Sequence, residues 1–99
     1  MKDRATAHIG VLTAEFFIPE AHSLKEKRFV LNSLRDRIRN EFNASSAEIG
    51  YRDKWQRSEW VFCFAGSDKT YLEGAIGKLL DFLRSGRHAS LIDHHVEFL

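Results

Sequence analysis

Hydrophobic and polar positions along this chain repeat with two different periods. A period of two is typical of a strand with one buried face, and a period near 3.6 is typical of an amphipathic helix. The single proline, Pro19, falls between two such stretches, where it ends a regular element. The pattern therefore predicts four strands and two helices, with the strands over residues 8–18, 47–53, 58–65 and 91–99, and the helices over residues 23–40 and from 67 or 68 to 86.

The first helix has a start signal and a continuous apolar stripe. Ser23 and Glu26 are spaced as a capping box, in which the serine side chain accepts from a first-turn amide while the glutamate reaches back. Helical spacing continues through the apolar residues that follow, which are Leu24, Leu31, Leu34, Ile38 and Phe42. This stripe is expected to face the core.

The element order βαββαβ is the split βαβ arrangement of ferredoxin-like domains. With right-handed crossovers it predicts an α+β sandwich, in which a four-stranded antiparallel sheet of order 4-1-3-2 carries both helices on one face. The 99 residues are enough for one domain, over residues 1–99, and 43% of them are hydrophobic, which allows a packed core.

The composition restricts the cellular location. Cys63 is the single cysteine, so an internal disulfide is impossible and a reducing cytoplasm is the expected compartment. No apolar run reaches the ~20 residues of a membrane span, so no membrane association is expected.

The sequence contains no pattern that indicates an enzyme. His94 and His95 are adjacent on a strand and so point to opposite faces, and we expect His94 to pack in the core rather than to bind a metal. No nucleophile motif or phosphate-binding glycine loop is present. No cofactor, metal or catalytic residue is therefore predicted, and an enzyme acting on a small phosphorylated substrate is the third-ranked hypothesis.

Positive charge is concentrated on the first helix. The whole chain has a net charge of +1, whereas residues 23–40 hold six basic and two acidic side chains, a local charge of +4. Several cations share one flank of the apolar stripe, between about 40° and 120° from Leu31 around the helix axis, and they are Lys25, Arg28, Arg35 and Arg39. Two interpretations are open: contact with phosphate, or long side chains that border the core and extend into water.

The predicted topology brings three basic segments to one end of the sheet, over residues 20–28, 54–57 and 87–88. Arg57 belongs to this end, and guanidinium groups bind phosphate through two parallel hydrogen bonds. Trp55 belongs to it as well, and an exposed tryptophan can stack on a base. The alternatives are that Trp55 folds back over the core, and that Arg57 pairs with Glu20 or Glu26 on the surface.

The sheet face away from the helices is expected to be apolar at its centre. Alternation places Val11, Val61 and Leu91 on this open face, and it leaves under the helices the aromatic residues Trp60, Phe62 and Phe64. Because these aromatic residues lie under the helices, a nucleic-acid platform of the RRM type is excluded, since it needs aromatic residues on the open face. A second copy packed sheet to sheet would cover the open face, so a homodimeric protein-interaction module is the alternative function.

Two motifs identify a family. The helix start "HSLKEKR" (residues 22–28) follows a strand that ends in "IP", and the turn "WQR" (residues 55–57) precedes the third strand. Together they resemble the YlxP-like family of small bacterial proteins, over residues 10–99. The resemblance implies a ferredoxin-like fold without established enzymatic activity, and a ribosome-associated role, since members are often encoded near translation-initiation and ribosome-maturation genes.

The function predicted from the sequence is that of a non-catalytic protein whose partner is ribosomal RNA or a ribosomal subunit. Trp55 is expected to stack on or anchor to the RNA. Phosphate contacts are expected from Lys25, Arg28, Arg35, Arg39 and Arg57. The homodimeric interaction module remains the alternative.

Overall fold

The computed structural model describes residues 6–99. It contains the six predicted elements in the predicted order, namely β1 His8–Phe17, α1 Leu24–Phe42, β2 Ser45–Gly50, β3 Arg57–Gly66, α2 Lys69–Arg84 and β4 Ser90–Phe98. The strands form one antiparallel sheet in the order β2-β3-β1-β4. This is the order 4-1-3-2 read from the other edge, so the ferredoxin-like prediction is confirmed.

The first helix begins at its predicted cap, Ser23, and the second begins at Asp68, one of the two predicted starts. Ser23 Oγ accepts from the Glu26 amide at 3.0 Å, and the Glu26 carboxylate accepts from the His22 amide at 2.9 Å. On α2, the Asp68 carboxylate accepts from the Thr70 amide at 2.9 Å. Each bond satisfies an amide at or just before the helix start, where no intrahelical partner exists.

The core lies between the sheet and the two helices. Alternate residues of the central strands β1 and β3 point into it, as the alternation predicted, and so do residues of both helices. Fully burying one such leucine or phenylalanine contributes about 1.5–3 kcal/mol. The largest buried contributions come from Leu12, Phe16, Trp60, Phe62, Ile38, Leu72, Leu79 and Leu83.

The second strand is shifted relative to its prediction. It begins at Ser45, which pairs with Cys63, and ends at Gly50 rather than at residue 53. Tyr51 adopts a left-handed backbone conformation with φ of 58°, and its carbonyl accepts from the Lys54 amide at 3.0 Å. The chain therefore turns at Tyr51, although the alternation of the sequence continues.

The last strand contains an irregularity that changes one assignment. Asp93 pairs with Glu15 and Leu91 pairs with Phe16, so Ile92 is an extra residue in β4. Leu91 consequently faces the core, and its prediction for the open face is wrong. His94, predicted to pack in the core, is exposed, because β4 is an edge strand that the helices cover incompletely.

Within residues 6–99, no helix combines the length and the apolar character needed to cross a membrane.

Candidate nucleic-acid interface

A lysine of the first helix is buried beneath the turn between β2 and β3. Lys27 is only 2% exposed, and its Nζ lies 3.0 Å from Glu48 Oε2. The same Nζ donates to the Tyr51 carbonyl oxygen at 2.6 Å. Charged side chains are almost never this buried unless they are paired, and Lys27 is paired with both a carboxylate and a main-chain acceptor.

The polar contacts of Lys27 continue into the core through β3. Ser58 Oγ donates to Glu48 Oε2 at 2.6 Å, and Trp60 Nε1 donates to Ser58 Oγ at 2.7 Å. Ser58 is fully buried. The chain from Lys27 to Trp60 therefore gives each buried polar group a partner, which a polar group in a core requires.

Sequence reasoning counted Lys27 only among the six basic side chains of residues 23–40, and it missed this role. A signal was present, because Lys27 lies four residues before Leu31 and therefore on the same face of the helix. A lysine within an apolar stripe needs a buried partner, and Glu48 on the neighbouring strand provides it.

The turn between β2 and β3, residues 51–56, is also tied to the loop between β1 and α1. Gln56 Nε2 donates to the Pro19 carbonyl at 3.1 Å and to the Ala21 carbonyl at 3.3 Å. The Gln56 carbonyl accepts from the Ile18 amide at 2.9 Å. Two of the three segments predicted to converge at this end are thus in direct contact.

The third segment joins through a side-chain contact. His88, after α2, lies with Nδ1 3.4 Å from Glu20 Oε2. The predicted convergence of the three segments is therefore confirmed.

Three of the predicted phosphate contacts point to solvent. Lys25, Arg28 and Arg39 are exposed, and none of them forms an ion pair with another residue in 6–99. Two further cations in the turn, Arg52 and Lys54, are exposed and unpaired in the same part of the chain. These five residues, Lys25, Arg28, Arg39, Arg52 and Lys54, are called the exposed cations below.

Arg35 makes its contacts with the core instead. Its guanidinium carbon lies 4.9 Å from the centroid of the Trp60 ring, and its side chain is half-buried. The Nε atom is buried and has no hydrogen-bond partner among the described residues. Because the Arg35 side chain packs on Trp60, Arg35 is not one of the exposed cations.

Arg57 is held by an acid that the sequence had not indicated. Its Nη2 lies 2.9 Å from Glu15 Oε1, whereas pairing with Glu20 or Glu26 had been the alternative. The guanidinium also lies 4.6 Å from the centroid of the Tyr51 ring and donates to the Tyr51 hydroxyl at 3.4 Å. The hydrogen bond to Glu15 raises the pKa of Arg57 above its ordinary value.

Trp55 stands at the exposed end of the turn. It is 53% exposed, and it is not among the side chains that pack on the core. The structure therefore disfavours the alternative in which Trp55 covers the core.

A groove of about 1020 Å³ opens beside this end, between α1 and the end of α2. Its apolar walls include Val30, Leu34 and Phe82, and Lys25 and Arg87 lie on its rim. Phe29, at the same groove, is 79% exposed. The exposed cation Lys25 therefore borders an apolar surface as well as solvent.

The family described as "Protein of unknown function (DUF503)" matches residues 9–96 of the chain. This chain belongs to that family. It is also 40% identical over 77 residues to a relative from Bacillus subtilis (strain 168) named "Uncharacterized protein YlxP", across 78% of this chain and 84% of the relative. The resemblance inferred from the two motifs is confirmed.

The structure shows what the two motifs do in this member of the family. Lys27 of "HSLKEKR" fixes the Tyr51 carbonyl, and Gln56 of "WQR" fixes the loop before α1. Both motifs therefore contribute contacts that hold the start of α1 against the turn. These contacts place Trp55 at the same end of the molecule as four of the exposed cations, Lys25, Arg28, Arg52 and Lys54. Arg39, by contrast, lies in the last turn of α1.

Proposed function

We propose that this protein is a non-catalytic RNA-binding protein whose partner is ribosomal RNA or a ribosomal subunit. The exposed cations contact the phosphate backbone, and Trp55 contacts a base. The observation that carries the proposal is the contrast between cations that have partners in the fold, such as Lys27 and Arg57, and cations that have none in residues 6–99, such as Arg28 and Arg39.

Two of the acids at the same end of the molecule, Glu20 and Glu26, have contacts within the fold. Glu20 Oε2 lies 3.4 Å from His88 Nδ1, and the Glu26 carboxylate accepts from the His22 amide. Neither acid therefore neutralises Lys25 or Arg28 by direct contact. A surface with unpaired cations attracts a polyanion over roughly a Debye length, about 10 Å at 0.1 M salt.

The position of these cations on the helix also supports a partner. Lys25 lies in the first turn of α1, where the helix dipole disfavours a cation by about 0.3–1 kcal/mol, and Arg28 follows directly after that turn. The buried ion pair with Glu48 explains Lys27, but within residues 6–99 no such contact explains Lys25 or Arg28. Phosphate binding gives both residues a role, and at Lys25 it offsets the cost of a cation in the first turn.

The test is co-sedimentation of the purified protein with ribosomal subunits at low and moderate salt. The test variant is Arg28→Glu/Arg39→Glu; Arg35 is left unchanged because it packs on Trp60. Lys69→Glu/Lys78→Glu on α2 makes the same change in net charge at exposed positions of another helix. We expect salt-sensitive co-sedimentation for the wild type and the α2 variant, and its loss in the α1 variant. Failure of the wild type to co-sediment at low salt would contradict the proposal.

A homodimer formed through the open sheet face is the second candidate function that we propose. Val11 pairs with Cys63, and Val61 pairs with Thr13 and Ala47, so small and apolar side chains adjoin across three strands. With about 3.4 Å per residue and about 4.8 Å between strands, the whole open face of four strands, which average about nine residues, measures about 31 Å by about 19 Å. Two whole faces in contact would therefore bury roughly 1,200 Å² in total. This area is at the lower end of stable interfaces, about 1,200–2,000 Å².

Sedimentation velocity tests the dimer. Val61→Glu places a charge in the centre of the open face, and Tyr71→Glu makes a similar change at an exposed position of α2. A dimer that persists in Tyr71→Glu and dissociates in a folded Val61→Glu supports the candidate. A wild-type monomer at high protein concentration would contradict it.

A further inference from the structure

The exposed tip of the β2–β3 turn is fixed by contacts of the residues directly before and after it. The tip consists of Arg52, Asp53, Lys54 and Trp55, all of which are exposed. Directly before the tip, the Tyr51 carbonyl accepts from Lys27 Nζ and from the Lys54 amide. Directly after it, Gln56 is bonded to the loop before α1 through its side chain and its carbonyl. Both ends of the tip are therefore anchored.

Tyr51 is held in an unusual conformation at the entry to the tip. Its φ of 58° is uncommon for a residue other than glycine, asparagine or aspartate. Three contacts hold it there: Lys27 on its carbonyl, Arg57 over its ring, and Arg57 on its hydroxyl. A backbone conformation of this kind persists where surrounding contacts determine it, which is the arrangement seen here.

A buried ion pair is a costly way to obtain stability. Desolvation of the two charges offsets much of their attraction, and apolar residues of similar volume often stabilise a fold equally well. The pair Lys27–Glu48 differs from an apolar contact in one respect, since Lys27 also donates to the Tyr51 carbonyl. The lysine therefore fixes the position of the turn, which an apolar residue would not do.

An anchored tip with an exposed tryptophan suits one class of RNA. Bases in a duplex are already stacked on each other, whereas bases in loops, bulges and single strands can stack on an aromatic side chain. Arg52 and Lys54 flank the tip with positive charge, and Asp53 between them leaves a local charge of +1. A base on Trp55 would bring its own phosphate close to these cations.

From this arrangement we infer that the tip binds an unpaired nucleobase on Trp55, and that Lys27 is the positioning residue for this contact. The inference rests on the proposed RNA-binding function and adds the class of RNA: single-stranded segments or loops rather than continuous duplex. Fixing the tip before binding reduces the conformational entropy lost when the base is captured.

The first test compares two RNA probes that contain the same labelled strand. One probe is a single strand of about 12 nucleotides without self-complementarity, within the range of single-strand binding sites. The other is the duplex of that strand with its complement. We expect tighter binding to the single strand. Trp60 is 1% exposed, so quenching of tryptophan emission by the single strand reports stacking on Trp55.

The variants separate the stacking residue from the positioning residue. Trp55→Ala is expected to weaken binding to the single strand by roughly 5- to 150-fold, and to leave binding to the duplex unchanged. Lys27→Met/Glu48→Gln removes both charges of the buried pair, so no buried charge is left unpaired, and the glutamine side chain keeps an acceptor oxygen for the buried Ser58 hydroxyl. We expect this variant to unfold near the wild-type temperature, to lose affinity for the single strand, and to show greater nanosecond mobility of the Trp55 indole by NMR relaxation.

Each outcome has a defined meaning. Equal affinity of the wild type for single strand and duplex, or an unaffected Trp55→Ala, overturns the assignment of an unpaired base while leaving RNA binding intact. A folded Lys27→Met/Glu48→Gln variant with the affinity and the Trp55 mobility of the wild type overturns the role of Lys27. Absence of binding to either probe and to ribosomal subunits overturns the proposed function itself.

Discussion

Lys27 of α1 and Glu48 of β2 form an ion pair of 3.0 Å, with the lysine almost completely shielded from water. The pair lies where the helix start, the edge strand and the β2–β3 turn meet, because Lys27 also binds the Tyr51 carbonyl. It joins three parts of the chain that are distant in sequence. The proposed interface is built on this junction.

Removal of one partner of this pair should be strongly destabilising. Lys27→Ala leaves the largely buried Glu48 carboxylate without its cation, which we expect to lower the free energy of unfolding by about 3 kcal/mol. Urea denaturation followed by circular dichroism measures this. Lys25→Ala, an exposed lysine on the same helix turn, should change stability by less than about 0.5 kcal/mol. Equal stabilities of the two variants would show that the buried pair has no structural role.

Gln56 should stabilise the fold as a hydrogen-bond donor. Gln56→Glu keeps the size of the side chain but replaces the donor with a carboxylate facing the Pro19 and Ala21 carbonyls. We expect a loss of about 1–2 kcal/mol, since two bonds are lost and two acceptors face a negative charge. The measurement is the shift in melting temperature at neutral pH. A Gln56→Glu protein as stable as the wild type would contradict this role.

Arg35 and Arg39 lie on the same flank of α1 but should behave differently. Arg35→Ala removes the contact with the Trp60 ring and should cost about 1 kcal/mol of stability. Arg39→Ala removes an exposed cation and should leave stability nearly unchanged while weakening RNA binding. Thermal unfolding and RNA affinity, measured on both variants, test this division. The reverse pattern would mean that Arg35 rather than Arg39 faces the RNA.

Two glycines should respond in opposite directions to alanine. At Gly10, a Cβ atom would lie 2.8 Å from Ile76 Cδ1 within the packed core, so Gly10→Ala should destabilise by about 1–3 kcal/mol. At Gly74, on the exposed side of α2, a Cβ atom would meet no atom within 4 Å. Gly74→Ala should therefore stabilise the helix by up to about 1 kcal/mol. Denaturant midpoints that shift in the same direction for both variants would contradict the packing described for the core.

Much of the fold follows from local patterns in the sequence. Alternation assigned Trp60, Phe62 and Phe64 to the helix side, because a strand in a half-buried sheet has a side-chain period of two. Capping residues located the start of both helices, since Ser23 and Asp68 satisfy amides that no helix can satisfy internally. These features depend on a few neighbouring residues, and for that reason they are visible without a structure.

The features that the sequence did not reveal depend on contacts between distant segments. The extra residue Ile92 in β4 is defined only by pairing with β1, and it turns Leu91 toward the core. The left-handed conformation of Tyr51 is held by Lys27 and Arg57 rather than by a local preference of tyrosine. Likewise, the division of the cations into paired and exposed ones requires the positions of Glu15 and Glu48.

The most direct test of the proposed function is the salt dependence of RNA affinity. Each phosphate contact releases counterions, so the slope of the logarithm of the affinity against the logarithm of the salt concentration reports the number of contacts. With a ribosomal RNA fragment, we expect a steep slope for the wild type and a slope smaller by about 1 for each of Arg28→Gln and Arg39→Gln. Lys78→Gln on α2 should keep the wild-type slope. A wild-type affinity that does not change with salt, or an equal slope in all variants, would contradict phosphate binding by the exposed cations.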